Sequence, residues 1–178
     1  ILAVSQEWAI ANSRTVIMDG RLFITNMFIT NVITLHKSWG GDLFLNNSNT
    51  WNNANLVISS LYPPDVPELY KQDTRDSTVI IGRSDGLTGC SNVICLPTSI
   101  ASGLNNGSQI RLGAGAVGVM ITNVPLYLSC SLTNGDMRTG LRNNSSTVSG
   151  WYGPIYLSGD AGSVQINSGG SGTSQLMI

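Results

Sequence analysis

The chain has 178 residues, enough to bury a hydrophobic core and most simply one domain. Charged residues make up 11% of it, against about 25% in ordinary soluble domains, and the formal net charge is −1. Phosphate binding needs a cluster of Lys and Arg, so we expect no nucleic-acid partner. No segment reaches the roughly 18 consecutive apolar residues of a membrane-spanning helix, so we expect no membrane insertion.

The N-terminal segment holds the best helix candidate of the chain. Within residues 3–14, Val4, Trp8 and Ala11 fall on one face of a helix, which predicts one short N-terminal helix. The pattern then changes, because residues 21–35 are dense in β-branched side chains set among Thr and Asn. That composition predicts a pair of strands.

Apolar residues at alternate positions predict further strands along the chain, since two is the side-chain period of a strand. These strands are predicted at 42–45, 56–60, 78–82, 87–96, 109–132 and 153–167. Two polar stretches separate them, and they predict long loops at 46–55, which carries Trp51, and at 134–150.

Residues 61–77 form the clearest irregular stretch. Pro63, Pro64 and Pro67 lack the amide hydrogens that a β-ladder needs, and most charges of the first half follow them. We expect an exposed connection here, with a helical turn at 67–72. The chain as a whole is predicted to be a single all-β domain over residues 1–178.

One pattern occurs twice, at residues 110–122 and 155–167, and more loosely at 43–59. Each copy has alternating apolar residues, a bend of small residues, and alternating apolar residues again. This pattern predicts a mainly β fold. An antiparallel β-sandwich and a β-solenoid use the same alternating strands, so both remain open.

The three cysteines leave several pairings open. Cys90 and Cys95 could close a small loop, either of them could pair with Cys130, or all three could be reduced and buried. Their spacing and the single histidine do not fit zinc, and we expect no metal and no cofactor.

No catalytic constellation can be assembled from the sequence, and we expect a protein that is not an enzyme. Asp73 and Asp76, with Asp85 nearby, are the carboxylates that a minor alternative, a polysaccharide hydrolase or lyase, would use. His36 is the only histidine, and a lone histidine beside a strand end is more often structural than a base.

Aromatic residues among amides are the best candidates for binding. Sugars have apolar C–H faces and hydroxyl rims, which pair with an aromatic plate flanked by amide groups. The predicted ligand-binding residues are Trp51, Asn52, Asn53, Trp151, Tyr152 and Asp160. The alternative is that each tryptophan caps one end of the core.

The repeated pattern, with GAGAVGVMITN and SGDAGSVQINS at its centres, resembles the coils of β-solenoids in phage tail spikes and tail fibres. Such proteins are usually trimeric and bind, or sometimes cleave, bacterial surface glycans. The segment Trp39-Gly40-Gly41 before an alternating strand is similar to type IVb pilins. The Asn-, Gly- and Thr-rich all-β composition also resembles fimbrial adhesin domains.

These observations favour an extracellular attachment domain that recognises a neutral glycan or a cell-surface receptor. It would lie on a cell-surface appendage or a virion. One alternative is a structural subunit of a pilus or tail fibre that acts by self-assembly into a homo-oligomer, and another is a polysaccharide depolymerase. Low charge fits both attachment and assembly, because it leaves little self-repulsion.

Overall fold

The computed structural model describes residues 2, 4–11, 14–25, 32–59, 77–96, 98–99, 105–130, 139–159, 164–169 and 173–178, with the backbone alone at 98–99, 105–106 and 130. All regular secondary structure in these residues is β-strand, which confirms the mainly β prediction. No helix long and apolar enough to cross a membrane occurs among them. The helical turn expected at 67–72 falls outside the described residues.

Two six-stranded parallel sheets form the long sides of the molecule. The first sheet consists of β1 (Gln6–Ala9), β4 (Ile33–Ser38), β7 (Ala54–Ile58), β9 (Cys90–Cys95), β14 (Leu126–Cys130) and β17 (Ile155–Gly159). The second consists of β2 (Thr15–Met18), β5 (Asp42–Leu45), β8 (Ser77–Ile81), β12 (Ser108–Gly115), β15 (Gly140–Ser145) and β18 (Gln165–Ser168).

Shorter parallel strands form a third side. One group pairs β3 (Phe23–Thr25) with β6 (Thr50–Asn52), and the other joins β13 (Met120–Ile121), β16 (Val148–Trp151) and β19 (Gln175–Met177). An antiparallel pair, β10 (Thr98–Ser99) and β11 (Asn105–Asn106), lies between β9 and β12 in the chain.

The chain visits the first sheet, the second sheet and the third side in turn, and then returns to the first sheet one strand further along. This path is a β-solenoid, so the solenoid alternative is the correct one and the antiparallel sandwich is not supported. Parallel neighbours need long connections, and here the other two sides of each coil supply them.

Stacked rows of apolar side chains fill the interior. One row on the first sheet is Leu35, Leu56, Val93 and Leu126, and one on the second is Leu43, Val79, Ile110 and Leu141. All of these side chains are buried. In-register stacking therefore turns the alternation along each strand into continuous apolar rows along the solenoid axis.

The predicted N-terminal helix is wrong, because β1 occupies the middle of that segment and pairs in parallel with β4. Its exposure alternates, with Gln6 and Trp8 more protected than Glu7 and Ala9. The apolar spacing suited a helix, but a strand lets this segment satisfy the backbone groups at the edge of β4.

The two copies of the repeated pattern do not stack on each other. The copy at 110–122 begins on β12 in the second sheet, whereas the copy at 155–167 begins on β17 in the first sheet. The bend of small residues predicted in the first copy is present in the structure. Gly113 and Gly115 have φ of 77° and 56°, and they lie at an irregularity in the β12–β15 pairing.

Two predicted polar loops contain strands instead. β6 and the start of β7 lie within 46–55, and β15 and the first three residues of β16 lie within 134–150. The strands predicted around 42–45, 56–60 and 78–82 are confirmed as β5, β7 and β8. The Asn-rich composition suggested loops, but these amides lie on strands: Asn52 is exposed on β6, and Asn143 is buried on β15, where its side chain is hydrogen-bonded.

Cys90 and Cys95 are free and buried at opposite ends of β9, so of the alternatives left open by the sequence these two residues follow the one with reduced, buried thiols. An extended strand separates them by far more than the roughly 7 Å limit for bridging Cα atoms. Burial raises the pKa of Cys90 to about 12 and that of Cys95 further, which keeps both thiols protonated.

Candidate functional site

Trp51 and Trp151, the predicted aromatic plates, are both core residues. Each is buried, and each indole N–H donates to a main-chain carbonyl, Trp51 Nε1 to Gly86 O at 3.0 Å and Trp151 Nε1 to Val124 O at 2.9 Å. Neither ring face is open to a ligand, so the geometry supports the alternative in which the tryptophans belong to the core.

The other predicted site residues lie at or near the surface of the third side. Asn52 is exposed, Asn53 is half-buried with φ of 51°, and Tyr152 is 48% exposed with its hydroxyl 3.6 Å from Met177 Sδ. Asp160 lies outside the described residues. Asn52 and Asn53, next to Trp51, and Tyr152, next to Trp151, are on the same side of the solenoid but in different coils. Their role in binding stays a prediction.

The outside of the first sheet forms a surface that is more continuous than the separate residues of the third side. We call it the tyrosine face. Its central row has one outward side chain from each strand, and these alternate with the buried inward rows. The row runs through Glu7, His36, Val57, Ile94, Tyr127 and Tyr156.

Two stacked tyrosines end this row. The ring centroids of Tyr127 and Tyr156 are 4.6 Å apart with 14° between the ring planes. This separation is close to the spacing of about 4.8 Å between neighbouring strands, because in-register parallel pairing places one ring directly over the other. The rings are 37% and 49% exposed, so the pair presents aromatic surface and two hydroxyl groups to solvent.

Polar rows flank the tyrosines and the apolar middle of the row. On one side Asn55 and Asn92 are cross-strand neighbours, and Asn92 Nδ2 donates to Asn55 Oδ1 at 2.9 Å. On the other side Ser129 and Ser158 are paired across β14 and β17. The face therefore combines aromatic rings with amide and hydroxyl groups, which is the chemistry of sites that bind sugars.

The titratable acid and base of the central row, Glu7 and His36, lie at its N-terminal end as register partners on β1 and β4. Burial lowers the pKa of His36, while the Glu7 charge raises it and the Lys37 charge lowers it. His36 is therefore neutral at pH 7. From Val57 to Tyr156 the described side chains of the row carry no charge.

His36 also makes a contact whose two partners, a serine and a histidine, have the composition of a nucleophile and its base. His36 Nε2 lies 2.7 Å from Ser59 Oγ. The Ser59 side chain is fully buried, and within the described residues no hydrogen bond joins His36 to Glu7. A substrate atom has no open position beside Ser59, so the contact acts as a structural hydrogen bond.

Of the carboxylates considered for polysaccharide cleavage, only Asp85 is described. It accepts hydrogen bonds from Ser48 Oγ and from Arg83 Nε, the latter at 3.1 Å. The Ser48 hydrogen bond, followed by that of Arg83, lowers the pKa of Asp85. A general acid needs a raised pKa, so this environment does not suit Asp85 to that role. Asp73 and Asp76 lie outside the described residues.

The sequence analysis missed the tyrosine face, although a signal for it exists. Pro-Leu-Tyr-Leu-Ser at 125–129 and Pro-Ile-Tyr-Leu-Ser at 154–158 are nearly the same five-residue motif. The two motifs occupy equivalent positions in successive coils, which is why their tyrosines stack. In these two coils the repeat that stacks in register is this motif, rather than the glycine-containing pattern.

No protein-family model, no curated protein and no solved structure matches this chain.

Proposed function

We propose that this chain is an extracellular attachment domain that binds a neutral glycan through the tyrosine face. The observation that carries the proposal is the exposed, stacked pair of Tyr127 and Tyr156 on an uncharged stretch of sheet. Rigid aromatic surface binds at low cost in conformational entropy, because each tyrosine has few rotatable bonds to immobilise.

The parallel stack suits a ligand that is itself repetitive. Successive strands present equivalent groups at a regular spacing of about 4.8 Å along the axis. An extended chain of sugar rings could place apolar ring faces against Val57, Ile94 and the tyrosines. Its hydroxyl groups would then reach the amides of Asn55 and Asn92 and the hydroxyl of Ser129.

The low charge of the chain and of this face favours a neutral partner over an acidic one. Among the described side chains of the row from Val57 to Tyr156, an ionic ligand would find no fixed charge of opposite sign. This is also the basis for proposing a location on a cell-surface appendage or virion, where neutral polysaccharides and glycan receptors are met.

A pair of matched variants tests the proposal. Tyr156 and Tyr152 are 49% and 48% exposed, but Tyr156 is on the tyrosine face and Tyr152 is on the third side. We expect Tyr156→Ala to weaken binding to glycans selected on an array of neutral and acidic polysaccharides by roughly tenfold, from the loss of about 1–2 kcal/mol of aromatic contact. Tyr152→Ala should leave binding unchanged.

The two variants also distinguish this face from the site predicted by the sequence. A loss of binding in Tyr152→Ala with none in Tyr156→Ala would overturn the tyrosine face and restore the region of Asn52, Asn53 and Tyr152. An array that retains only acidic glycans would contradict the neutral class. Circular dichroism of both variants checks that the fold is retained.

A second candidate function, a subunit that assembles into a fibre, is favoured by one specific observation. The outer face of the second sheet carries the apolar register row Ile17, Phe44 and Ile80, and Ile17 is 56% exposed. Such a row could pack against another copy of the chain.

A further inference from the structure

The third side of the solenoid is interrupted between β6 and β13. Instead of a strand, residues 83–89 form turns that continue the hydrogen bonding of β6 through Trp51 N and Thr88 O. The next coil supplies the loop 122–124 after β13. Between these two segments lies a cavity of about 310 Å³.

The cavity has an apolar floor and a polar rim. Leu87, Ile121 and Val124 are buried and form part of the lining, together with Cys90. The exposed rim carries Ser84, Thr88, Thr122 and Asn123. Within the described part of the chain, no hydrogen bond occupies the side chains of Thr88, Thr122 or Asn123, so their donors and acceptors are available to a ligand.

None of the described residues that line the cavity carries a charged side chain. The one ionisable group among these described lining residues is the Cys90 thiol, which burial keeps protonated. An ionic ligand would lose hydration here without gaining a partner of opposite charge. The lining therefore selects for a neutral ligand that carries several hydroxyl or amide groups and has one apolar face.

The buried tryptophans hold the two walls of the cavity. Trp51 donates to the carbonyl of Gly86 in one wall, and Trp151 donates to the carbonyl of Val124 in the other, at 3.0 and 2.9 Å. Ser84 Oγ accepts from Met120 N at 3.0 Å and joins the walls. A site whose rim is fixed by core residues is already organised before a ligand arrives, which lowers the cost of binding.

We propose that this cavity binds a single neutral, polyhydroxylated six-membered ring, with Trp51 and Trp151 as positioning residues. The volume is at the lower end of ligand pockets, which suits one ring rather than a chain of them. The ring could be a free monosaccharide or the terminal residue of a glycan. The site lies on a different side from the tyrosine face and takes a smaller ligand, so it goes beyond the proposed function.

Titrations followed by ¹H–¹⁵N correlation spectra test the proposal. The probes are glucose, galactose, mannose and N-acetylglucosamine, with glucuronic acid as the charged comparison and maltotriose as a glycan with a terminal ring. We expect at least one neutral monosaccharide to shift the amides of Thr88, Thr122 and Asn123 saturably at millimolar concentration. Glucuronic acid should bind at least tenfold more weakly than the matching neutral sugar.

Variants of the rim connect these shifts to the cavity. Thr122→Val removes a hydroxyl at constant shape, and Asn123→Gly removes the amide while allowing φ of 58°. Each should raise Kd about three- to tenfold, the usual effect of losing one hydrogen bond. Thr15→Val, at an exposed threonine of β2, should leave Kd unchanged.

Trp151→Phe tests the positioning role, because it keeps an aromatic ring in the core but removes the hydrogen bond to Val124 O. We expect a higher Kd in the folded variant, whereas a purely structural role would lower stability and leave Kd unchanged.

Three results would overturn the proposal: no saturable shift at the rim with any neutral probe, an unchanged Kd in Thr122→Val, or equal binding of glucuronic acid. Maltotriose that binds while every free monosaccharide fails would assign the site to glycan ends, and the reverse would assign it to free sugars. Tyr156→Ala should not change Kd at the cavity, so failure of the tyrosine face and failure of the cavity can be told apart.

Discussion

Lys37 occupies a core position that an apolar residue fills in the neighbouring coil. It pairs in register with Ile58 on β7, and its side chain is fully buried. The ammonium group donates to Trp39 O at 2.5 Å, to Gly41 O and to Ser77 Oγ at 2.8 Å. These acceptors lie where the chain turns from the first sheet to the second. The buried Lys37 side chain therefore links the two sheets by hydrogen bonds inside the core.

We expect stability to rise with pH above neutrality because of this lysine. Burial lowers the pKa of Lys37 from 10.5 to about 7, and the Asp42 charge only partly opposes the shift. Between these pH values the unfolded chain binds more protons than the folded one. The free energy of unfolding, measured by urea denaturation at pH 7, 8 and 9, should therefore increase by up to about 1.4 kcal/mol per pH unit.

Lys37→Met provides the control, because it has no titrating group at this position. The pH dependence between 7 and 9 should flatten in this variant, whatever its stability at any one pH. A stability that is constant or falls with pH in the unmodified chain would contradict the lowered pKa. An equal slope in Lys37→Met would assign the pH dependence to another group.

At the scale of the strand, the position of a coil in the stack decides how much an inward side chain contributes to stability. Leu128 on β14 and Leu157 on β17 are register partners in the same inward row. Leu128 is buried between two coils, whereas Leu157 belongs to the last strand of the first sheet and is 62% exposed. The two positions therefore compare a leucine that has a neighbouring coil on both sides with a leucine that has one on a single side.

We expect Leu128→Ala to lower the free energy of unfolding by about 2–5 kcal/mol, because it loses buried apolar area and leaves a cavity. Leu157→Ala should change it by no more than about 0.5 kcal/mol, as an exposed site does. Chemical denaturation of both variants measures the difference. Equal destabilisation would mean that Leu157 is covered in solution, for example by another copy of the chain.

Strands were predictable where alternation was long and regular, as in β5, β7 and β8. The way in which those strands stack was not predictable, because the alternation of inward and outward side chains is the same in a solenoid and in a sandwich. The helix prediction failed at β1, since four residues with two partly protected positions fit either period, and pairing with β4 decided between them. Tertiary contacts overrode a weak local preference.

The candidate site was predictable only in part, for a related reason. Trp51 and Trp151 were predicted as binding residues because their amide-rich neighbours suggested loops, whereas both lie buried at inward positions of short strands. Which face of a short strand points inward depends on the neighbouring coils. The stacking of Tyr127 on Tyr156 likewise follows from register, which the sequence indicates only through the repeated Pro-apolar-Tyr-Leu-Ser motif.

At the scale of the whole molecule, the solenoid presents faces of different chemistry. The first sheet turns aromatic and amide groups outward, and the second sheet turns an apolar row outward around Ile17. Attachment and self-assembly could therefore use separate faces of the same coils. A net charge of −1 opposes neither, because self-repulsion between copies is small.

If the second sheet mediates assembly, Ile17→Asp should reduce self-association. Placing a carboxylate in an apolar interface costs desolvation without a partner charge, so we expect sedimentation velocity to show a shift toward monomer at every concentration. Val117→Asp is the matched control, since Val117 is 57% exposed, against 56% for Ile17, but lies at a turn after β12. A chain that is strictly monomeric at high concentration, or one whose assembly both substitutions reduce equally, would contradict a role for this face and leave attachment as the favoured activity of the solenoid.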